Sequence, residues 1–287
     1  MRPILLLVFA SFALHAPAAA AENTLFEKEG PFGWVIVTED RNLRTLQFER
    51  GGARQTVVRL GDPAHLELPY APVALTGLAL CEAPRRVLVV GLGGGTLPMF
   101  IRHYYPAAII DGVDINPDVV EAARKYLGFR EDARMRGIVA DGRRFIEETK
   151  EPYDVIFLDA FGADSVPPPL STVEFLRAVR KALRPDGVVV GNIWSREYNR
   201  LYDAMLRTYQ AAFDDLYLLE VGGAGNRILL ALPRKAGLSR ELFATQAGAL
   251  SQNKGFRFDM APLVRRGFSH LKDPVDARVL TDAEMLK

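Results

Sequence analysis

The chain has 287 residues, of which 49% are hydrophobic and 25% are charged, as is typical of a folded globular protein with a hydrophobic core. Its formal net charge is +1 and charges of both signs are interspersed, so nothing in the charge pattern indicates binding to nucleic acid. Cys81 is the single cysteine, which excludes an intrachain disulfide and a cysteine cluster around a metal. Small-molecule chemistry is therefore the favoured class of function.

Residues 1–21 are predicted to form a cleavable signal peptide. Arg2 precedes an apolar run at 4–14, and the alanines at 18–21 resemble a small-residue cleavage site. The run is shorter than the roughly 20 residues that cross a bilayer, so no stable membrane span is expected. This layout predicts export, to the periplasm in a bacterial cell. If the segment is not a signal peptide, the expected location is the cytoplasm.

The mature chain is predicted to begin with a small β subdomain at 22–68. Three runs within it have strand character and are separated by turn-forming residues, which predicts an antiparallel meander. These runs are 34–38, 43–48 and 55–60.

Residues 69–237 are predicted to form a Rossmann-like, doubly wound α/β domain. An apolar segment at 69–80 opens with a proline, as a helix can, and strands then alternate with helices, which is typical of a mostly parallel sheet covered on both faces. The predicted strands are 87–90, 109–114, 137–140, 155–158 and 188–193, and the predicted helices are 97–104, 117–127, 143–149 and 171–183. A glycine-rich antiparallel hairpin at 216–232 follows and is expected to close the edge of the sheet. Residues 238–287 are expected to be a helical, then irregular, extension.

The first predicted parallel strand leads directly into the glycine-rich sequence Gly91-Leu92-Gly93-Gly94-Gly95 before a helix. Glycines at such a turn allow backbone N–H groups to approach a ligand closely at the start of the helix. Asp114 ends the next strand, where a carboxylate can accept hydrogen bonds from both ribose hydroxyls. Thr96 stands where a dinucleotide-binding turn would have its last glycine, so the pattern favours an adenosyl ligand without phosphates.

Two further strands end in acidic residues. Asp141 and Gly142 follow the third predicted strand, where the carboxylate can read an adenine amino group, and Asp159 follows the fourth. A loop carboxylate or a helix N-cap is the ordinary alternative for each aspartate alone. The carboxyl ends of parallel strands lie at one edge of the sheet. The glycine turn and the three aspartates together therefore indicate a binding site at that edge. The isolated histidines His65 and His103 predict no metal centre.

These segments together resemble the spermidine synthase-like aminopropyltransferases, which share the class I methyltransferase fold. The resemblance covers most of the mature chain. It rests on 68–70, the sequence from Val87 through the glycine turn, 113–116, 140–142, 153–160, 183–188 and the late glycine hairpin.

The resemblance implies a role for each matching residue. The glycine turn would bind decarboxylated S-adenosylmethionine, Asp114 its ribose and Asp141 its adenine. Asp159 would be the catalytic carboxylate, which accepts a proton from an attacking amine. Tyr70 would line the amine site, and Asp164 would anchor the distal ammonium of a diamine such as putrescine. The resemblance also implies a homodimer.

Two alternatives remain open from the sequence. The aspartate that binds the aminopropyl ammonium in the family is replaced by Gly94, and an acidic residue expected three positions after Asp159 is replaced by Gly162. A methyltransferase that uses intact S-adenosylmethionine is therefore the first alternative, although the apolar Val89 before the turn favours the aminopropyltransferases. The signal peptide favours the second alternative, an exported non-catalytic protein that binds a nucleoside or polyamine.

Overall fold

The computed structural model describes residues 23–161 and 166–286. The predicted signal peptide at 1–21 lies outside the described residues. The described chain begins with a four-stranded antiparallel sheet in the order β1-β2-β3-β4. Its strands are β1 (Asn23–Gly30), β2 (Gly33–Asp40), β3 (Leu43–Gln47) and β4 (Arg54–Arg59). The predicted meander is present, with β1 as an additional strand.

A short helical segment links this sheet to the rest of the chain: helix α1 (Tyr70–Ala74) continues into a 3₁₀ helix at Leu75–Leu80. The second sheet has eight strands within the described ranges. They are β5 (Arg86–Val90), β6 (Ile109–Asp114), β7 (Met135–Val139), β8 (Tyr153–Leu158), β9 (Leu183–Trp194), β10 (Asp215–Glu220), β11 (Asn226–Leu232) and β12 (Phe268–His270).

Helices alternate with these strands. They are α2 (Thr96–Tyr104), α3 (Pro117–Lys125), α4 (Gly142–Glu148), α5 (Val173–Lys181), α6 (Tyr202–Ala212), α7 (Arg240–Lys254), α8 (Ala261–Gly267) and α9 (Asp282–Met285). None of the helices in the described ranges is both long and apolar enough to cross a membrane.

The large sheet is a Rossmann-like α/β sheet with the strand order β12-β10-β11-β9-β8-β5-β6-β7. Strands β5 to β9 pair in parallel, whereas β10, β11 and β12 are antiparallel additions. Successive residues of a strand point to opposite faces, and β5 follows this rule. Val87 and Val89 belong to the apolar cluster on one face, while Leu88 and Val90 belong to the cluster on the other. Both faces are therefore buried, which explains the continuous apolar runs.

The small sheet packs on the large domain through helix α3. Val35, Val37 and Leu46 form one apolar cluster with Val119 and Leu127. This packing places β4 beside the glycine turn that follows β5.

Some elements differ from the sequence expectation. The hairpin β10–β11 does not form the edge of the sheet, because β12 pairs with β10 on its outer side and β11 pairs with β9. Helix α6 and strands β1 and β12 were not predicted. The exact domain limits, 22–68, 69–237 and 238–287, stay a prediction.

Candidate active site

A cavity of about 650 Å³ lies between the two sheets, at the carboxyl ends of the parallel strands. The chain order changes direction here, because β6 lies on one side of β5 and β8 on the other. Ligands of open α/β sheets bind at such a switch point. The walls come from the loops after β5, β6, β7 and β8, from the end of β9, from β4 and from the turn between β10 and β11.

The glycine turn forms the floor of this cavity. Gly91, Gly93 and Gly95 have φ angles of +94°, +51° and +82°, which favour glycine over any residue with a side chain. At Gly91 the close approach is also steric, because a Cβ atom there would lie 2.3 Å from the backbone oxygen of Asp159. The turn therefore needs glycine both for its conformation and for its contact with the end of β8.

Asp114 lies beside the turn at the end of β6. The N–H of Gly93 donates to its Oδ2 at 3.3 Å, and the N–H of Asn116 donates to its Oδ1 at 3.0 Å. Burial raises the pKa of the Asp114 carboxyl, and these backbone donors oppose part of the rise. The carboxylate is held in place while still lining the cavity.

Asp141 and Gly142 lie at the start of helix α4 and also line the cavity. The N–H of Arg144 donates to Asp141 Oδ1 at 3.0 Å, so this aspartate is the N-cap of the helix. A Cβ atom at Gly142 would lie 2.5 Å from Val90 Cγ1, which explains the need for a small residue. The capping role and an adenine contact are compatible, because a carboxylate has a second oxygen.

Asp159 follows β8 and faces the cavity from the opposite side of the turn. Its carboxylate accepts two side-chain hydrogen bonds of 2.8 Å, one from the Tyr70 hydroxyl to Oδ2 and one from Asn192 Nδ2 to Oδ1. Burial raises the pKa of Asp159 from 3.8 to about 6, and the two donors oppose part of this rise. Burial and the charge of Asp159 raise the pKa of Tyr70 well above its ordinary value, so Tyr70 remains a donor.

Asn192 is itself oriented by another amide. The Asn226 Nδ2 group donates to Asn192 Oδ1 at 3.0 Å, and both side chains are buried. Neither residue was among the predicted site residues. Asn192 did leave a signal in the sequence, since it is a polar residue inside the apolar run of β9, and buried polar residues require partners.

The small sheet contributes Thr56, another residue that the sequence did not reveal. The N–H of Gly94 donates to Thr56 Oγ1 at 2.9 Å. A Cβ atom at Gly94 would lie 2.5 Å from Thr56 Cγ2 and 3.0 Å from Leu127 Cδ1. Thr56 thus occupies the space that a side chain at position 94 would need.

The structure brings most predicted site residues to one cavity. The glycine turn, Asp114, Asp141, Gly142, Asp159 and Tyr70 all line it or lie within its floor. Asp164 lies outside the described residues. Within 23–161 and 166–286, no group of three or more His, Cys, Asp or Glu side chains is placed to hold a metal ion.

Comparison with known proteins decides the family. The spermine/spermidine synthase domain matches residues 72–214. A polyamine aminopropyltransferase of Vibrio vulnificus is 31% identical over 253 residues, which cover 84% of each chain. The chain belongs to the spermine/spermidine synthase family. It is thus a transferase of the polyamine aminopropyltransferase type.

Solved structures of two kinds resemble this family member. A probable spermidine synthase from Corynebacterium glutamicum has a TM-score of 0.69 at 20% identity and aligns over 86% of this chain and 94% of its own. Human methyltransferase-like protein 13, solved in complex with SAH, has a TM-score of 0.60 at 31% identity. That alignment covers 66% of this chain and 93% of the human one. The family fold is therefore shared with a methyltransferase-like protein that binds an S-adenosylmethionine-type ligand.

Proposed function

We propose that this protein transfers an aminopropyl group from decarboxylated S-adenosylmethionine to an amine, with a diamine such as putrescine as the acceptor. The observation that carries the proposal is Asp159, a cavity carboxylate held by Tyr70 and Asn192 beside the glycine turn. Its pKa of about 6 keeps it ionised at neutral pH while leaving it able to accept a proton. Family membership supports the same reaction.

In this proposal the two sides of the cavity have different roles. The glycine turn at Gly91, Gly93 and Gly95 accommodates the adenosyl sulfonium, Asp114 accepts hydrogen bonds from the ribose, and Asp141 with Gly142 contacts the adenine. The buried, backbone-anchored carboxylate of Asp114 supports the ribose assignment, because both its oxygens still have free acceptor positions. Asp159, the third acidic residue of the described cavity wall, then faces the reacting end of the sulfonium.

The reaction needs a neutral amine and a group that takes its proton. The amine nitrogen attacks the aminopropyl carbon next to sulfur, a C–N bond forms, and the C–S bond breaks with its electron pair on sulfur. The products are methylthioadenosine and an ammonium, whose proton passes to Asp159. Tyr70 and Asn192 each donate to one oxygen of the carboxylate, which fixes its orientation and leaves each oxygen a further acceptor position for the proton.

The acceptor binds next to Asp159 in this proposal. Phe161 and Trp194 line this part of the cavity and contact each other with ring centroids 5.7 Å apart. Aromatic faces attract ammonium groups, so they support an amine substrate. We further propose that Asp164 anchors the distal ammonium and that the protein acts as a homodimer, as the family resemblance implies.

Methyl transfer from intact S-adenosylmethionine is the second candidate, and Gly94 favours it. The packing of Thr56 against Gly94 leaves no carboxylate at that position to attract an aminopropyl ammonium or to repel a methionine carboxylate. The likeness to human methyltransferase-like protein 13 supports this candidate too.

One assay separates the candidates. The protein is incubated with putrescine and either decarboxylated or intact S-adenosylmethionine, and methylthioadenosine and S-adenosylhomocysteine are followed by chromatography. We expect methylthioadenosine and spermidine from the decarboxylated donor, and loss of both in Asp159→Asn. S-adenosylhomocysteine from the intact donor alone would establish methyl transfer instead. Neither product, with retained binding of both sulfonium compounds, would contradict transfer to putrescine and favour the binding-protein alternative.

A further inference from the structure

Two asparagine side chains connect the antiparallel part of the large sheet to the carboxylate of Asp159. Asn192 lies near the end of β9, and Asn226 is the first residue of the neighbouring strand β11. In the register of this pair Asn226 faces Trp194 and Ile228 faces Asn192, so the two asparagines are diagonal neighbours on one face. They form a chain of donors that runs from Asn226 through Asn192 to Asp159, with distances of 3.0 and 2.8 Å.

The direction of this chain has a chemical consequence. An asparagine amide has an oxygen that only accepts and a nitrogen that only donates, and a rotation of the side chain by half a turn exchanges them. Only the orientation that directs Asn192 Nδ2 at Asp159 stabilises the ionised carboxylate. In the opposite orientation the Asn192 amide oxygen would face a carboxylate oxygen of Asp159. Both atoms are acceptors, so this orientation is favourable only when Asp159 is protonated.

Asn226, in the orientation that the structure shows, supports the first of these two orientations. Its Nδ2 group donates to Asn192 Oδ1, so the favourable orientation satisfies both ends of the Asn192 amide. Asn192 and Asn226 are 4% and 9% exposed, so water offers little substitute for this contact. Within the described residues, the hydrogen bonds to the Asp159 carboxylate come from Tyr70 and Asn192. Asn226, which also lines the cavity, therefore acts on the carboxylate through Asn192.

We propose that Asn226 is a positioning residue, which holds the Asn192 amide in the orientation that donates to Asp159 and so keeps the base ionised and ready to accept a proton. This inference rests on the proposed function, because it explains how the base of that reaction is prepared. It adds a residue from the late hairpin to the machinery. It also predicts that Asn226 acts on the protonation of Asp159 and leaves the binding of the sulfonium unchanged.

The test measures the protonation of Asp159 without any substrate. The protein is labelled with ¹³C at the aspartate carboxyl groups, and the NMR signal of Asp159 is identified by its disappearance in Asp159→Asn. The chemical shift of this signal is followed against pH, which gives the midpoint of the Asp159 titration. We expect Asn226→Ala to move this midpoint upward by about half a unit to one unit, because the ionised form loses support. Asn253→Ala, at an exposed position of α7, is the matched control and leaves the midpoint unchanged.

A double-mutant cycle establishes the route of the effect. In the Asn192→Ala background, Asn226→Ala is expected to leave the midpoint unchanged, since the intermediate amide is gone. A shift of equal size in both backgrounds would overturn the proposal, as would an unchanged midpoint in the single variant. If Asn226→Ala does not fold, the isosteric Asn226→Asp serves instead, and it is expected to raise the midpoint more in the presence of Asn192 than in its absence.

The kinetic arm separates positioning from direct contact with substrate. We expect Asn226→Ala to move the acidic limb of the pH profile of kcat/KM to higher pH. KM for the sulfonium at high pH should stay unchanged. A raised KM with an unmoved limb would show that Asn226 contacts substrate and would overturn the proposal. Failure of the proposed function is a different result, because unmodified protein would then release no product while the carboxyl titration still reports on Asn226.

Discussion

In the proposed reaction Asp159 is the base, and a carboxylate works best in that role when its pKa lies close to the working pH. Enclosure by protein raises the pKa to about 6, while Tyr70 and Asn192 keep it from rising further. The sequence predicted Asp159, because an aspartate directly after a buried parallel strand stands at the functional edge of the sheet. It did not predict Asn192 or Asn226, since their importance depends on which strands become neighbours.

The raised pKa of Asp159 means that its ionised carboxylate lowers the stability of the folded protein at neutral pH. A substitution that removes this charge should restore the stability. The folded pKa of about 6 lies above the ordinary aspartate value of 3.8, so protonation favours the folded state and this contribution is lost as the pH rises through about 4 to 6. The Asp159→Asn variant has no carboxyl group at this position, so it does not lose this stability as the pH rises. Its advantage in the free energy of unfolding over the unmodified protein should grow by about 2 kcal/mol between pH 4.5 and pH 7.5. Urea denaturation at the two pH values measures it, and a constant difference would contradict the raised pKa.

The same substitution should reduce turnover by about 10²- to 10⁴-fold, the usual contribution of a general base. The reason is that an amide cannot accept the proton of the attacking amine. Steady-state kinetics at saturating sulfonium measures the effect, and sulfonium binding by calorimetry serves as the control. Activity near that of the unmodified protein would remove Asp159 from the catalytic role.

Tyr70 should act on the protonation of Asp159. Tyr70→Phe removes one of the two donors to the ionised carboxylate, so the pKa of Asp159 should rise by about half a unit to one unit. The acidic limb of the kcat/KM profile then moves to higher pH, and activity recovers at alkaline pH. Tyr126→Phe, in the stacked pair with Phe26 outside the cavity, is the control. A uniform loss of activity at all pH values would assign Tyr70 to substrate contact instead.

At the level of elements, apolar runs predicted the central strands well because both sheet faces are buried. The predicted strand at 109–114 has the observed limits, and the others differ by a few residues at their ends. Strand β1 was missed, since its Glu27, Lys28 and Glu29 interrupt the apolar pattern at the edge of the small sheet. Strand β12 has only three residues, and its pairing with β10 is a long-range contact that no local pattern contains.

The glycine turn offers a test of why its first residue must be glycine. Gly91 and Gly223 both have positive φ angles, +94° and +74°, but only Gly91 has backbone atoms within reach of an added Cβ. Gly223→Ala should lower the free energy of unfolding by about 1 kcal/mol, the cost of the backbone conformation. Gly91→Ala should cost about 3 kcal/mol because the contact with Asp159 adds to it. The free energies of unfolding are measured by urea denaturation. Equal decreases in the two variants would mean that the end of β8 shifts to accommodate the added Cβ atom.

At the level of the whole molecule, the cavity exists because the small sheet packs on the glycine turn. The sequence predicted both parts separately, and it predicted the edge of the large sheet where the cavity lies. The contact of Thr56 with Gly94 could not be predicted, because it depends on how the small sheet packs against α3. This contact fills the position at which a carboxylate would select the decarboxylated sulfonium.

The packing of the two sheets therefore predicts that the choice of sulfonium depends on a pair of residues. Gly94→Asp alone should destabilise the protein, since its Cβ would overlap Thr56 Cγ2. In the double variant Gly94→Asp and Thr56→Ala the new carboxylate has space, and it should attract the aminopropyl ammonium and repel the methionine carboxylate. The ratio of the two dissociation constants should move about tenfold or more toward the decarboxylated compound.

Calorimetry with both sulfonium compounds measures this ratio, and Thr56→Ala alone is the control for the lost contact with the Gly94 N–H. In that single variant both affinities should fall together, because the turn loses an anchor without gaining a charge. A folded double variant with an unchanged ratio would show that the amino-acid end of the sulfonium lies away from Gly94. The selection would then have to come from another part of the cavity wall, to which Asp159 also contributes a carboxylate.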